Sequence, residues 1–273
     1  MPELPEVETV VRTLRPRIVG SAITAVRLER PDIVTPLGTD LAACLTGCTV
    51  STVERRGKRI VITLHSGSQF YIHLGMSGRL TVEAPHSPLK KHTHLILGFQ
   101  AGTNPFEVRF VDPRRFGGIW WLGPDTNSND RMGPEPLSLR GKQLGRQLAR
   151  TRRAIKTALL DQALIAGLGN IYVDESLFAA GIHPCIPANQ LTPMQIDALN
   201  RAIKRILKKA IDHRGSTLRD YRDANGASGG FQLRHKVYDR AEKPCRICKT
   251  SIERIVLGGR STHFCPQCQP TVR

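Results

Sequence analysis

The sequence has no apolar run near the roughly 18 residues that a membrane-spanning helix needs. It also lacks a basic amphipathic helix with an aromatic face, the pattern that beds into a membrane surface. Its start is acidic, whereas a secretory signal opens positive and continues apolar. These absences predict a soluble, intracellular protein. Acid is scarce elsewhere: 23 Asp+Glu stand against 40 Lys+Arg, a net charge of +17. That excess is the footprint of a polyanion's partner, with nucleic acid first and an anionic membrane surface second. At 273 residues the chain has room for two domains, each with its own core.

Seven cysteines are present. Cys44, Cys48 and Cys185 are scattered. Cys245-x-x-Cys248 and Cys265-x-x-Cys268 are separated by 16 residues, the spacing of a four-cysteine zinc site in a reducing compartment. Four thiolates close a tetrahedral ion, so one structural Zn2+ is expected and not a catalytic one. Ile252 to Leu257 and Ser261 to Phe264 read as two strands, joined by Gly258-Gly259-Arg260. Arg260 at that turn suits a phosphate contact or a solvated tip equally well.

The first residues, Pro2-Glu3-Leu4-Pro5-Glu6, carry two readings. A small residue behind the initiator Met marks that Met for removal, which would make Pro2 the N-terminal amine. Such an amine has a pKa near 8 and attacks carbonyl-type carbons to form Schiff bases. Glu3 and Glu6 are near enough along the chain to move protons. The other reading is a helix start, with Pro5 in the first turn and Val7, Val10, Val11 and Leu14 as an apolar stripe. Under either reading the helix dipole lowers the Pro2 amine pKa and the two glutamates raise it.

Residues 21 to 122 read as short strands: Ala22 to Leu28, Ile60 to Leu64, Phe70 to Leu74, His94 to Phe99, Val108 to Val111 and Ile119 to Leu122. A sandwich or barrel follows. Gly123 to Pro136 has linker composition. Helical spacing then runs through Leu144, Leu148, Ile155 and Leu159, and Gly167-Leu168-Gly169-Asn170 breaks it. A short helix is expected from about Ile171 to Gly181, and a longer one from Thr192, where Pro193 and Gln195 complete a start signal. Residues 222 to 232 read as a loop.

These pieces resemble a family. Pro2-Glu3-Leu4-Pro5-Glu6-Val7-Glu8-Thr9, Arg56-Gly57-Lys58-Arg59, His73-Leu74-Gly75-Met76-Ser77-Gly78, Asp112-Pro113-Arg114-Arg115-Phe116-Gly117, Gly167 to Glu175 and the cysteine end with Gly259 to Phe264 are similar to bacterial formamidopyrimidine-DNA glycosylase, also called 8-oxoguanine-DNA glycosylase. Each motif is weak, but six in the family's order from Pro2 to Cys268 are specific. The resemblance implies an α+β protein: an N-terminal catalytic β-sandwich over 1–130, a helix–two-turn–helix DNA-binding domain over 131–225 and a zinc-finger hairpin over 236–273. It implies excision of oxidised purines from duplex DNA, then cleavage of the abasic site by β,δ-elimination, in a cytoplasmic monomer.

By that resemblance Pro2 is the nucleophile and Glu3 the general acid. Glu6 is a further carboxylate near the flipped sugar, Lys58 serves proton transfer and phosphate contact, and Arg260 serves the second elimination. Met76, Arg114 and Phe116 would fill the gap left by the flipped nucleotide. His73, His92, Arg152, Lys156, Asn170 and Tyr238 would contact DNA. Two residues depart from the family pattern: Asp239 and Arg214 stand where Gly is common. The segment 222–230 would cover the flipped base. Rival readings are an endonuclease VIII-like enzyme for oxidised pyrimidines, whose start has Gly where this chain has Leu4, a non-catalytic binder of damaged or abasic DNA, and a zinc-ribbon RNA-binding protein.

Overall fold

The computed structural model describes residues 2–101, 104–124 and 131–271. Residues 125–130 of the linker expected over 123–136 lie outside them, as does Met1. The described chain divides into two compact units, one of residues 1–130 with 213–230, the other of residues 131–212 with 231–273.

The first unit opens with helix α1, Leu4–Ile18. Strands β1 (Ile23–Leu28) and β2 (Val34–Thr35), helix α2 (Leu41–Leu45) and strands β3 (Val50–Arg56), β4 (Arg59–Leu64) and β5 (Gln69–His73) follow. Strands β6 (Arg79–Glu83), β7 (Thr93–Ala101), β8 (Asn104–Val111) and β9 (Gly118–Gly123) complete it. They form two sheets, ordered β1-β7-β8-β6 and β2-β9-β5-β4-β3. Alternation explains the core: on β4, Ile60, Ile62 and Leu64 are buried while Arg59, Val61 and Thr63 are half-buried on the other face. Val7, Val10, Val11, Leu14 and Ile18 of α1 join residues of both sheets in one cluster. This is the expected sandwich. The sequence reading had passed over β2, β3 and β6.

The second unit holds α3 (Gly141–Leu148), α4 (Ile155–Leu160), α5 (Asn170–Ala180) and α6 (Pro193–Asp212), then the hairpin β10 (Glu253–Leu257) and β11 (Arg260–Phe264). The expected start of α6 is a capping box: Thr192 Oγ1 accepts from Gln195 N–H at 3.2 Å, and Gln195 Oε1 accepts from Thr192 N–H at 2.9 Å. In the hairpin, Leu257 pairs with Arg260. The turn is therefore Gly258-Gly259, at φ 53° and 72°, the two-residue form that glycine favours. Arg260 opens the strand and is not the turn tip.

Candidate active site

At the start of α1, Pro2, Glu3 and Glu6 are all buried. The Glu6 carboxylate accepts from Glu3 N–H at 2.8 Å and from Ser216 N–H at 2.7 Å. It thus ties the N-terminal residues to the segment 213–230. That segment had been read partly as helical domain and partly as loop, but it packs with the first unit. Tyr221 OH donates to Glu6 O at 3.2 Å. Burial, reinforced by the Glu6 charge, raises the Tyr221 pKa far above its usual value, so the phenol stays a neutral donor. Gly215 lies so close to Glu6 that a Cβ there would stand 2.6 Å from Oε1. Only glycine permits this approach.

Lys58 is nearly buried, in the two-residue turn between Arg56 and Arg59. His73 lies at the end of β5, opposite Arg59. Burial lowers its pKa, and the positive charges of Lys58 and Arg59 lower it further. Its Nδ1 accepts from Gly75 N–H at 3.1 Å, which leaves Nε2–H as the donor of a neutral ring.

Asp112, fully buried, organises the next loops. Oδ1 accepts from Ser77 Oγ at 2.6 Å and Arg114 N–H at 3.3 Å, and Oδ2 accepts from Gly117 N–H at 2.8 Å. Residues 74–78 and 112–117 are thereby interlocked. Met76 and Phe116 stay 39% and 54% exposed, which is why they do not belong to the core. The Arg114 guanidinium lies 4.8 Å from the Phe116 ring centroid. His92 is exposed at φ 68°, and its carbonyl accepts from Asp112 N–H at 3.0 Å. Sequence reasoning missed Arg109. Its buried guanidinium donates to Glu107 at 2.6 Å and to the carbonyls of Ala84, Pro85, Ser87 and Pro88, pinning the loop that leads to His92.

In the second unit, Asn170 begins α5 and its Nδ2 donates to Ser261 O at 2.9 Å. Arg260 and Arg152 are exposed. Lys156 requires a correction. It has no exposed surface, and its ammonium donates to Asp174 Oδ1 at 2.5 Å and Ser261 O at 2.8 Å. It braces the hairpin from beneath and does not face a phosphate. Asp174 Oδ2 accepts from His263 N–H at 2.9 Å. The neighbouring acid, Glu175, accepts backbone N–H groups of Lys236, Val237 and Tyr238 at 2.9 Å. Burial raises its pKa, and those three donors oppose the shift. Two consecutive acids on α5 thus hold the strand behind Arg260 and the segment carrying Tyr238. Both sit in an almost wholly buried helix. Acids within an apolar helix are a signal that could have found them, because buried carboxylates require donors.

Cys245, Cys248, Cys265 and Cys268 place their sulfurs within 4.8 Å of one another, the one such metal-ligating group among the described residues. Three Sγ–Sγ distances are 3.4, 3.5 and 3.9 Å. A tetrahedron with Zn–S bonds of about 2.3 Å has sulfurs about 3.8 Å apart, so the quartet fits one structural zinc. The cluster of buried residues around it is small: Phe178, Val237, Cys245, Ile252 and Cys265. Arg214 and Asp239, the departures noted above, both lie at positive φ, 61° and 57°. This explains physically why glycine suits those positions.

Residues 1–119 match the family model for the formamidopyrimidine-DNA glycosylase N-terminal domain, and residues 132–222 that for its H2TH domain. Residues 242–271 match the zinc finger found in FPG and IleRS. The formamidopyrimidine-DNA glycosylase of Symbiobacterium thermophilum is 44% identical, over 99% of this chain and 90% of that protein. That of Laribacter hongkongensis is 45% identical, over 98% and 100%. Among solved structures, a complex of Lactococcus lactis Fpg with abasic-site DNA is similar at TM-score 0.91 and 37% identity, covering 98% of this chain and 100% of that one. The Thermus thermophilus MutM (Fpg) protein is similar at TM-score 0.87 and 38% identity, covering 100% of both. With this identity over nearly its whole length, the chain belongs to the formamidopyrimidine-DNA glycosylase family.

Proposed function

We propose that this protein is a bifunctional DNA glycosylase and abasic-site lyase for oxidised purines, 8-oxoguanine and formamidopyrimidines, in duplex DNA. With Met1 removed, the Pro2 amine attacks C1′ of the flipped nucleotide. The C1′–N bond breaks and the base leaves. Glu3 gives a proton to the ring oxygen as the sugar opens, and an iminium forms between Pro2 and C1′. Loss of the 2′ proton breaks the 3′ C–O bond, and a second elimination breaks the 5′ C–O bond. Lys58 moves protons and holds phosphate in these steps, and Arg260 assists the last. Met76, Arg114 and Phe116 occupy the emptied stack, while His73, His92, Arg152, Asn170 and Tyr238 hold the backbone. The zinc shapes the hairpin and takes no part in bond making.

The observation that carries the reading is the buried knot of Glu3, Glu6 and Ser216 beside Pro2. Glu6 closing on Glu3 N–H is the capping box of a helix start. The joint burial of Pro2, Glu3 and Glu6 and the Ser216 N–H on Glu6 are what such a start does not require. No helix among the described residues is long and apolar enough to cross a membrane. With the net charge of +17, this supports a cytoplasmic site of action, on DNA. The test is borohydride trapping on a duplex with 8-oxoguanine opposite cytosine, with peptide mapping of the adduct. A cross-link at Pro2 is the expected result. No adduct from zinc-loaded protein whose Met1 is gone would remove the reading.

A further inference from the structure

The segment from His213 to Gly230 is closed by its own bonds, Gly230 N–H to His213 O at 2.9 Å and Asp223 N–H to Ala227 O at 3.0 Å among them. Tyr221 and Ala224 are buried in the first unit's core. Thr217 Oγ1 donates to Tyr221 O at 3.2 Å and accepts from Gly229 N–H at 2.8 Å. Val82 N–H donates to Ala224 O at 2.8 Å. The Asp223 side chain is fully buried, and Oδ1 accepts from Asn225 N–H at 3.0 Å and Ala227 N–H at 2.9 Å. Across the segment, the half-exposed Arg214 guanidinium pairs with Asp223 Oδ2. Arg214 holds a φ of 61°, which is unfavourable for an arginine and easy for a glycine. The next two residues lie on Glu6: Gly215 in close approach and Ser216 through its N–H.

We propose that the Arg214–Asp223 ion pair is a latch. It holds the part of this segment beyond Ser216 folded, as a preformed wall for the nucleotide's base, while the Ser216 N–H keeps its own bond to Glu6. The latch thereby sets the ratio of base excision to cleavage at sites already without a base. The inference rests on the glycosylase–lyase reading above and deepens it. A substrate with a base needs the wall in place. Ordering the wall beforehand removes an entropic penalty from binding. A substrate without a base has nothing for the wall to hold, so its cleavage is insensitive to the latch.

The experiment compares the unaltered protein with Arg214→Gly, Asp223→Asn and the double variant on two duplexes. One carries 8-oxoguanine opposite cytosine, the other an abasic site. Arg214→Gly places glycine at a φ that suits it, so the fold is retained and the latch alone is removed. Its kcat/KM for base excision falls about tenfold, as the competent loop becomes a minor state. Abasic cleavage stays within about twofold, and the double variant is no worse than the poorer single one, because both remove one interaction. Tryptic cutting after the exposed Arg219 is faster in Arg214→Gly, a readout independent of catalysis. Equal losses on both duplexes with a lowered Tm, unchanged excision, or unchanged proteolysis each overturn the latch. An unaltered protein that cleaves the abasic duplex but leaves 8-oxoguanine in place overturns the oxidised-purine reading, and the latch with it. One that cleaves neither duplex overturns the whole glycosylase–lyase reading.

Discussion

His235 lies with its ring 5.6 Å from the rings of both Phe231 and Tyr238. Burial pushes its pKa down to about 4, against the opposing charge of Asp239. In the unfolded chain the same ring titrates near 6.5. The unfolded state therefore binds the extra proton first. The stability due to the neutral ring is complete above pH 6.5 and is lost as pH falls toward 4, to a limit of about 3 kcal/mol. Melting followed over that range for the unaltered protein and His235→Phe is expected to give converging profiles on acidification, with the variant less sensitive. Parallel profiles would mean that the ring is not held neutral. The same scale shows what a sequence reveals of a site. The zinc cysteines are legible because ligand chemistry fixes their spacing. Lys156 is not, because a lysine in a basic stretch looks solvated, and its partner Asp174 is 18 positions away. At Pro2, Glu3 and Glu6 the helix start was legible, and α1 follows it. Ser216, 210 positions on, is the partner that draws Glu6 inward, and no local pattern announces it.

Helix α5 is the element on which the second unit's exposed polar groups depend. Asn170 stands at its first turn, Asp174 holds His263 of β11, and Glu175 holds the backbone before Tyr238. If Glu175 acts by placing Tyr238, the two residues must be coupled. Tyr238→Phe is expected to weaken binding of a duplex with a stable abasic analogue about tenfold, the scale of a lost hydrogen bond to phosphate. In a Glu175→Gln background, where one of the carboxylate oxygens becomes a donor facing donors, the same change is expected to have much less effect. Additive losses, read from Kd in a double-mutant cycle, would show that Glu175 only stabilises the fold. Strands and helices were partly legible at this scale. Apolar runs such as Phe70 to Leu74 declare themselves. Strand β6, Arg-Leu-Thr-Val-Glu, carries charges at both ends and takes its identity from pairing with β8. The helical spacing over 144–159 is split between α3 and α4. Arg153 N–H donates to Thr151 Oγ1 at 3.2 Å in the intervening turn, a local alternative to helix bonding.

At the scale of the whole molecule, two cores of very different size meet one net charge. The first unit's core draws on α1 and both sheets, whereas the buried cluster at the cysteine quartet has five residues, two of them its own Cys245 and Cys265. A core that small cannot fold its hairpin alone, and structural zinc contributes on the order of 10–16 kcal/mol to such sites. Stripping the metal with a chelator should therefore act unevenly. Amides of β10 and β11 are expected to lose protection in hydrogen exchange, while those of β4 and β5 keep it. Binding of lesion duplex should weaken with a specific signature. Each phosphate contact contributes about −0.9 to the slope of log K against log salt. Only a cationic group releases counterions, so release of Arg260 should flatten the slope by about one unit, whereas release of the Ser261 carbonyl that holds the neutral Asn170 should lower affinity without changing the slope. A lower affinity with an unchanged slope would show that Arg260 neutralises no phosphate, leaving the first unit and the helices to account for the use of a +17 charge.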